Sequence, residues 1–407
     1  MKKLRKILRI LLFGFVGLCF VSLVWDKADR TLAVREKVFD QESVQYPIRK
    51  SDVTLYTDGQ EFYDRLLDDI ANAKQYIHIS FFSIADDTVS HRFEELLKKK
   101  SKEGVEVYYA VDRLGGVLLK EQDKQALLKA GVHFTYYNKL DFPYFFSSLE
   151  HRNHKRISVI DGTIGYAGGF NIGKKYLGKN EKLGSWRDYH LRIQGEGVQD
   201  LEQEFELDWV KNDRETVWKT HTSTEKGTTE LRFKAYSGKD LAYDYANLFH
   251  QAQKSITILS PYFIPNNKVI WHALIDAEKR GVEINILWSP ESDAPLVKQA
   301  AYPYIRKALK HGMHVYGYRD GILHGKVLVI DERVAMVGSA NLDSRSIHLN
   351  KELNCYIYDT AFIKQVLNKK VHEDFQRSQQ IHSPYVNNLP LQEKLKERLA
   401  KLVEYYL

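Results

Sequence analysis

The chain has 407 residues, 43% of them hydrophobic and 12% aromatic, and a formal charge of +7. That is too long for a single core of ordinary size and too apolar for a disordered chain, so two lobes or domains are expected. Five cations, Lys2, Lys3, Arg5, Lys6 and Arg9, stand together at the N-terminus and the remainder is near balance. This argues against a broad nucleic-acid cradle and leaves room for a phosphorylated substrate or an anionic membrane surface.

Taken in chain order, the basic cluster is followed by ILLFGFVGLCFVSLVW, residues 10–25, an uncharged run. As a helix it reaches about 24 Å, which flanking residues extend toward the ~30 Å of a hydrocarbon core. No small-x-small cleavage site follows it, so the run is expected to stay as an anchor rather than be removed as a signal peptide. Positive charge ahead of the run predicts a cytoplasmic N-terminus, a single pass through the cell membrane and an extracytoplasmic body. Residues 1–30 are read as the anchor region and residues 31–50 as a polar tether. The two cysteines, Cys19 and Cys355, predict no intrachain disulfide.

Beyond the tether the pattern alternates between helical and strand periodicity, twice over. EFYDRLLDDIANA, QYIHISFFSI, FEELLKKKSKEG and VEVYYAV make the first round; LAYDYANLFHQAQ, SITILSPYFI, IWHALIDAEKRG and VEINILW make the second. Such alternation predicts an α/β architecture with mostly buried strands, and its repetition predicts an internal duplication, with lobes at residues 51–215 and 216–407.

The copies agree best around HRNHKRISVIDG (residues 151–162) and HGKVLVIDE (residues 324–332). Asp161 and Asn171 follow His154 by 7 and 17 residues, and Asp331 and Asn341 follow His324 by the same intervals. The two-residue period of a strand puts His154 with Arg156, and His324 with Lys326, on a common face. If the copies pair about a pseudo-twofold axis, two histidines, two cations and two amides surround one centre. That set suits a phosphodiester: cations and amides hold the non-bridging oxygens, one imidazole attacks phosphorus and the other protonates the departing oxygen. Nothing in the set resembles a zinc shell, and adjacent cations oppose a metal ion, so no metal or other cofactor is expected. Gly168-Gly169 and Gly338-Ser339 either end hairpins or let the backbone approach a phosphate. Asp161 and Asp331 read as carboxylates that hold a turn or orient a cation.

HKRISVID and HGKVLVID resemble the paired H-x-K-x-x-x-x-D motifs of the phospholipase D superfamily. SPYFIP, GGFNI, WRDYHLRIQG and GSANLDSRSIHLNKELN make the chain most similar to its bacterial cardiolipin synthases, from about residue 52 to the C-terminus. The resemblance implies two similar phospholipase D-like lobes with central mixed β-sheets flanked by helices, preceded by a transmembrane helix. It implies phosphatidyl transfer between two phosphatidylglycerol molecules, giving cardiolipin and glycerol through a phosphatidyl-histidine, with no nucleotide or metal. His154 would be the nucleophile and His324 the acid and base, and Asp161 and Asp331 belong to the same catalytic motifs. Arg156 and Lys326 would clamp the phosphoryl oxygens, and Asn171 and Asn341 would complete the cradle. Glu352 and Asn354 would contribute to the substrate side. The first motif departs from the family in carrying Arg156 where lysine is usual, and the neighbouring Lys155 should face away. Phosphatidylglycerol and an anionic membrane are the expected partners, without nucleic acid; nothing in the sequence sets the oligomeric state. A phospholipid-hydrolysing phospholipase D is the alternative, with a nuclease behind it. The aromatic run DFPYFFSS, residues 141–148, reads either as core packing or as a membrane-facing entrance.

Overall fold

The computed structural model describes residues 21–22, 24–39, 42–180, 183–213, 215–217, 225–238 and 240–407. Most of the expected anchor, residues 1–20 and Leu23, lies outside the described residues. Among those described, no helix is long and apolar enough to cross a membrane. Residues 24–35 are helical and the helix is docked: buried Asp29 accepts hydrogen bonds from the backbone N–H groups of Phe146 (2.7 Å) and Ser147 (3.0 Å). The end of the expected anchor region is therefore packed onto the body.

The first copy supplies β1 (Arg49–Asp58), β2 (Tyr76–Phe81), β3 (Glu106–Asp112), β4 (His133–Tyr137), β5 (Ile157–Ile160), β6 (Ile164–Gly168) and β7 (Ser185–Gly195). The second supplies β8 (Thr229–Ser237), β9 (Ser255–Ser260), β10 (Glu283–Trp288), β11 (His314–Tyr318), β12 (Val327–Ile330), β13 (Val334–Gly338) and β14 (Lys351–Ile357). Within each copy three strands pair parallel, β2–β3–β4 and β9–β10–β11, and the rest pair antiparallel. The copies meet where β1 lies antiparallel to β8, with Arg49 opposite Leu231 and Ser51 opposite Thr229. The two expected sheets are thus joined into one mixed sheet, in the order β4-β3-β2-β5-β6-β7-β1-β8-β14-β13-β12-β9-β10-β11.

Both faces of this sheet are covered. On β5, Ile157 and Val159 point into a core shared by the two copies, and Ile160 points into a core belonging to the first. On β12, Val327 and Val329 enter the shared core, and Leu328 and Ile330 the second copy's own. The strands are short continuous apolar runs because each side meets an apolar layer.

Each motif hairpin is closed by a tight turn with left-handed residues, Asp161 and Gly162 in one and Asp331 and Glu332 in the other. Aspartate tolerates this conformation better than most residues. Its carboxylate is also used: Asp161 accepts the N–H groups of Lys74, Gln75 and Tyr76 (2.8–3.0 Å), and Asp331 those of Gln253, Lys254 and Ser255 (2.7–2.9 Å).

Candidate active site

His154 and His324 stand in the extended residues just ahead of β5 and β12, and each is fixed by the other copy. The backbone N–H of His154 donates to the Lys351 carbonyl (2.9 Å), and that of His324 to the Arg187 carbonyl (2.6 Å). The next residue of each accepting strand carries a carboxylate that takes the imidazole. His154 Nδ1 lies 2.9 Å from Glu352 Oε1, and His324 Nδ1 lies 2.6 Å from Asp188 Oδ2. A carboxylate at Nδ1 keeps the proton there and leaves the lone pair on Nε2.

The two rings line one cavity of about 310 Å³, together with Arg156, Asn171 and Asn341. Arg156 donates from Nη2 to His154 Nε2 (3.0 Å) and from Nε to Asn171 Oδ1 (3.2 Å). Lys326 lies behind His324, 2.6 Å from its Nδ1 and 3.9 Å from Asp188 Oδ2. One imidazole nitrogen cannot donate to the carboxylate and accept from the ammonium at once, so Asp188 holds the Nδ1 proton and Lys326 acts on the pair by its charge. Asn341 donates to Asp343 (2.9 Å) and its buried Oδ1 has no partner among the described residues.

Burial dominates the electrostatics. It pushes His154 down to about 4, helped by Arg156 and opposed by Glu352. His324 is also lowered, by burial and Lys326, against Asp188 and Asp293. Burial and Arg156 bring Lys326 down to about 8, with Asp188 opposing. Burial alone would raise both carboxyls, yet Lys326 and His324 hold Asp188 below its usual range and His154 does the same for Glu352.

The site differs from the sequence expectation in four ways. Asp161 and Asp331 stand at the far ends of β5 and β12, roughly 20 Å along the strand from the histidines, with their oxygens on backbone amides. Their grouping with the catalytic residues is corrected on that ground. Glu352 touches His154 rather than the cavity, where Ser339, Ser346 and Asn350 also donate to it. Asn354, expected on the substrate side, instead accepts from the Ala340 N–H (3.3 Å). Third, the hairpin-end glycines make room for side chains: a Cβ on Gly169 would meet Asp188 Oδ1 at 1.9 Å and one on Gly338 would meet Asn354 Oδ1 at 2.1 Å. Fourth, Asp188, Lys175, Tyr262 and Asp293 were not singled out. Tyr262 donates to Asp293 (2.5 Å), which also pairs with Lys175 (3.4 Å), and all three line the cavity. Lys155 does face away, into a buried ion cluster with Glu204 and Asp208, the latter 2.6 Å from its Nζ.

The strand pairing shows what Asp188 corresponds to. Gly168 pairs with His190 as Gly338 pairs with Asn354, so Asp188-Tyr189-His190 occupies the place of Glu352-Leu353-Asn354.

The family described as "Cardiolipin synthase, PLD-like domain" matches residues 66–209 and 245–377. The chain is 36% identical over 405 residues to the minor cardiolipin synthase ClsB of Bacillus subtilis (strain 168), covering 98% of this chain and 99% of that one. It is 35% identical over 381 residues to cardiolipin synthase 1 of Staphylococcus aureus (strain COL), covering 91% of this chain and 76% of that one. A crystal structure of phosphatidylserine synthase from Haemophilus influenzae Rd KW20 shares the fold, with a TM-score of 0.67 at 18% identity over 93% of this chain and all of that one. With the motif pair matched in both copies and relatives aligned over nearly the whole length, the chain belongs to the cardiolipin synthase family of PLD-like proteins.

Proposed function

We propose that the protein joins two phosphatidylglycerol molecules into cardiolipin and glycerol through a phosphatidyl-histidine on His154. The observation that carries this reading is the pair of histidines in one cavity, each with a carboxylate on Nδ1 contributed by the other copy. His154 attacks through Nε2. The P–N bond forms as the P–O bond to the donor's head-group glycerol breaks, and His324 supplies that oxygen with a proton. The head-group hydroxyl of the second lipid then attacks phosphorus and returns a proton to His324, and the P–N bond breaks to regenerate neutral His154. Arg156 and Asn171 hold the non-bridging oxygens, with Lys326 supplying further positive charge. The division of labour follows the charges. Two carboxylates, Asp188 and Asp293, favour protonated His324, whereas one, Glu352, does so for His154. Exchanging one phosphodiester for another requires no activated donor.

In this reading residues 51–215 and 216–407 are two copies of one lobe, residues 1–30 anchor them to the cell membrane, residues 31–50 connect the two, and the body is extracytoplasmic. Protease added to intact spheroplasts should then digest the body and spare a cytoplasmic control; protection until rupture would reverse the topology.

The reaction is tested with purified protein, chelator and phosphatidylglycerol labelled in its terminal glycerol. Cardiolipin and free glycerol should rise in step, and both should vanish in His154→Ala and His324→Ala. Phosphatidic acid as the main product would make the protein a hydrolase instead.

A further inference from the structure

The catalytic cavity adjoins a second, larger one. Phe82, Ser83, Arg152, Arg345 and Tyr406 line both, and the volumes are about 310 Å³ and about 1090 Å³. The larger lies at the upper edge of the ~300–1,000 Å³ usual for small-molecule pockets and is far bigger than a glycerophosphate head group requires. Its apolar wall comes from two places, Leu114, Val117 and Leu118 after β3, and Phe146 and Leu149 of the Phe145–Glu150 helix.

This wall is built rather than incidental. Asp112 accepts from Leu114 N–H (2.9 Å), and Gly115 packs so closely that a Cβ would meet the Phe82 carbonyl oxygen at 1.8 Å. Asp29 holds the first turn of the Phe145–Glu150 helix. Arg30 pairs with Asp26 (2.6 Å) and Glu150 (3.2 Å), and its guanidinium lies over the Tyr406 ring (4.7 Å). The charged groups in the chamber are thus largely engaged with one another or with the neck shared with the catalytic cavity.

Apolar side chains also face outward beside it. Val117 is 65% exposed and Leu118 57%. Phe142, at 69%, stacks on Phe145 (5.4 Å), and Trp25 meets Phe145 and Phe146 at 6.0 and 5.2 Å. Exposed apolar side chains beside an apolar chamber mark an interaction or ligand-binding surface.

We infer that this chamber receives the acyl chains of the donor phospholipid while its phosphodiester sits between His154 and His324. The inference rests on the phospholipid reading above and adds where the hydrocarbon goes. The donor would slide its chains past Leu118 and Trp25 and remain partly shielded from water, so that the phosphate reaches the buried histidines without the whole lipid leaving an apolar environment.

The test uses the full-length enzyme and phosphatidylglycerols short enough to stay monomeric, from dibutanoyl to dioctanoyl, so that no bilayer contributes. Released glycerol reports P–O cleavage whichever acceptor is used. For the wild-type protein kcat/KM should rise by at least about tenfold along the series, since each buried methylene favours binding. In Leu149→Glu, and in Leu118→Glu at a side chain already more than half exposed, the rise should shrink to less than about threefold, mainly through KM. Glycerol release with no chain-length gradient, or a gradient that survives both variants, overturns the chamber and leaves the phospholipid reading standing. Glycerol release from no member of the series, nor from long-chain vesicles, overturns both.

Discussion

At the scale of single residues, neither histidine is complete within its own copy. An imidazole beside a cation is a poor base, and here burial and Arg156 or Lys326 both push against protonation; the carboxylate from the opposite strand fixes the tautomer and, in the proposed reaction, would steady the positive ring. Asp188→Asn keeps the shape and removes that charge. It should lower kcat by about 100-fold with little change in KM, and Asp188→Glu should recover part of it; a Tm unchanged within a few degrees would separate this from unfolding. A phosphatidyl ester of p-nitrophenol, whose leaving group needs no proton, should still give a burst of nitrophenolate with Asp188→Asn. The buried rings also make stability pH-dependent. His154 titrates near 4 when folded and near 6.5 when unfolded, so the unfolded chain binds the extra proton and stability is lost as pH falls from 6.5 toward 4. Between pH 7 and 5 this ring alone costs about 2 kcal/mol, read as a denaturation difference that shrinks in His154→Gln. His154, Arg156, Lys326 and the asparagine pair were legible because the duplication repeats their spacing. Asp188 was not, because 17 residues separate it from Asn171 whereas 11 separate Glu352 from Asn341. The extra length contains the Lys174–Leu177 turn, which hides the correspondence from any fixed offset.

At the scale of elements, the motif hairpins carry chemistry at one end and structure at the other. The alternation of His154 with Arg156 was readable from the period of a strand, and so was the turn of Lys155 away from the site. That the closing aspartates hold a turn was among the readings, but their partners were not legible, since the three amides that Asp161 receives come from the start of β2, more than 80 residues earlier in the chain. A carboxylate that satisfies three consecutive N–H groups ties the hairpin to the edge of its neighbour strand and leaves no oxygen for substrate. Asp161→Asn and Asp331→Asn should therefore lower stability by about 1–3 kcal/mol each, as lost charge-assisted hydrogen bonds do, while kcat per folded molecule falls less than about threefold. Active-site titration alongside urea denaturation checks this; a loss of turnover comparable to that of His154→Gln in a protein of normal stability would restore both aspartates to the catalytic set.

At the scale of the whole molecule, the duplication was visible in the sequence but the fusion of the two sheets was not, because the β1–β8 junction is made by residues with no chemical signature: Arg49, Lys50 and Ser51 against Leu231, Glu230 and Thr229. Beneath that junction the copies share a core in which Leu191 and Phe205 of the first join Phe233 and Val329 of the second. A buried ion cluster crosses the same boundary, where Asp208 takes Lys155 of its own copy at 2.6 Å and Lys351 of the other at 3.3 Å, and also accepts from Asn153 (2.7 Å). Two lobes that share a sheet, a core, a buried ion cluster and the carboxylates on each other's histidines should unfold as one. Trp209 reports on the first copy and Trp288 on the second, and both are buried. In single-tryptophan variants, urea transitions followed at either position should coincide with each other and with far-ultraviolet circular dichroism. Asp208→Ala takes the carboxylate from buried Lys351 and leaves Lys155 with Glu204 alone, and should shift both midpoints together, by an amount equivalent to about 3–5 kcal/mol. Activity should disappear along the same curve, since each histidine loses its partner carboxylate at the moment the copies part. Separate transitions at Trp209 and Trp288, or activity that outlasts either, would mean that the lobes are independent and that the crossed histidine–carboxylate pairs do not hold them in register.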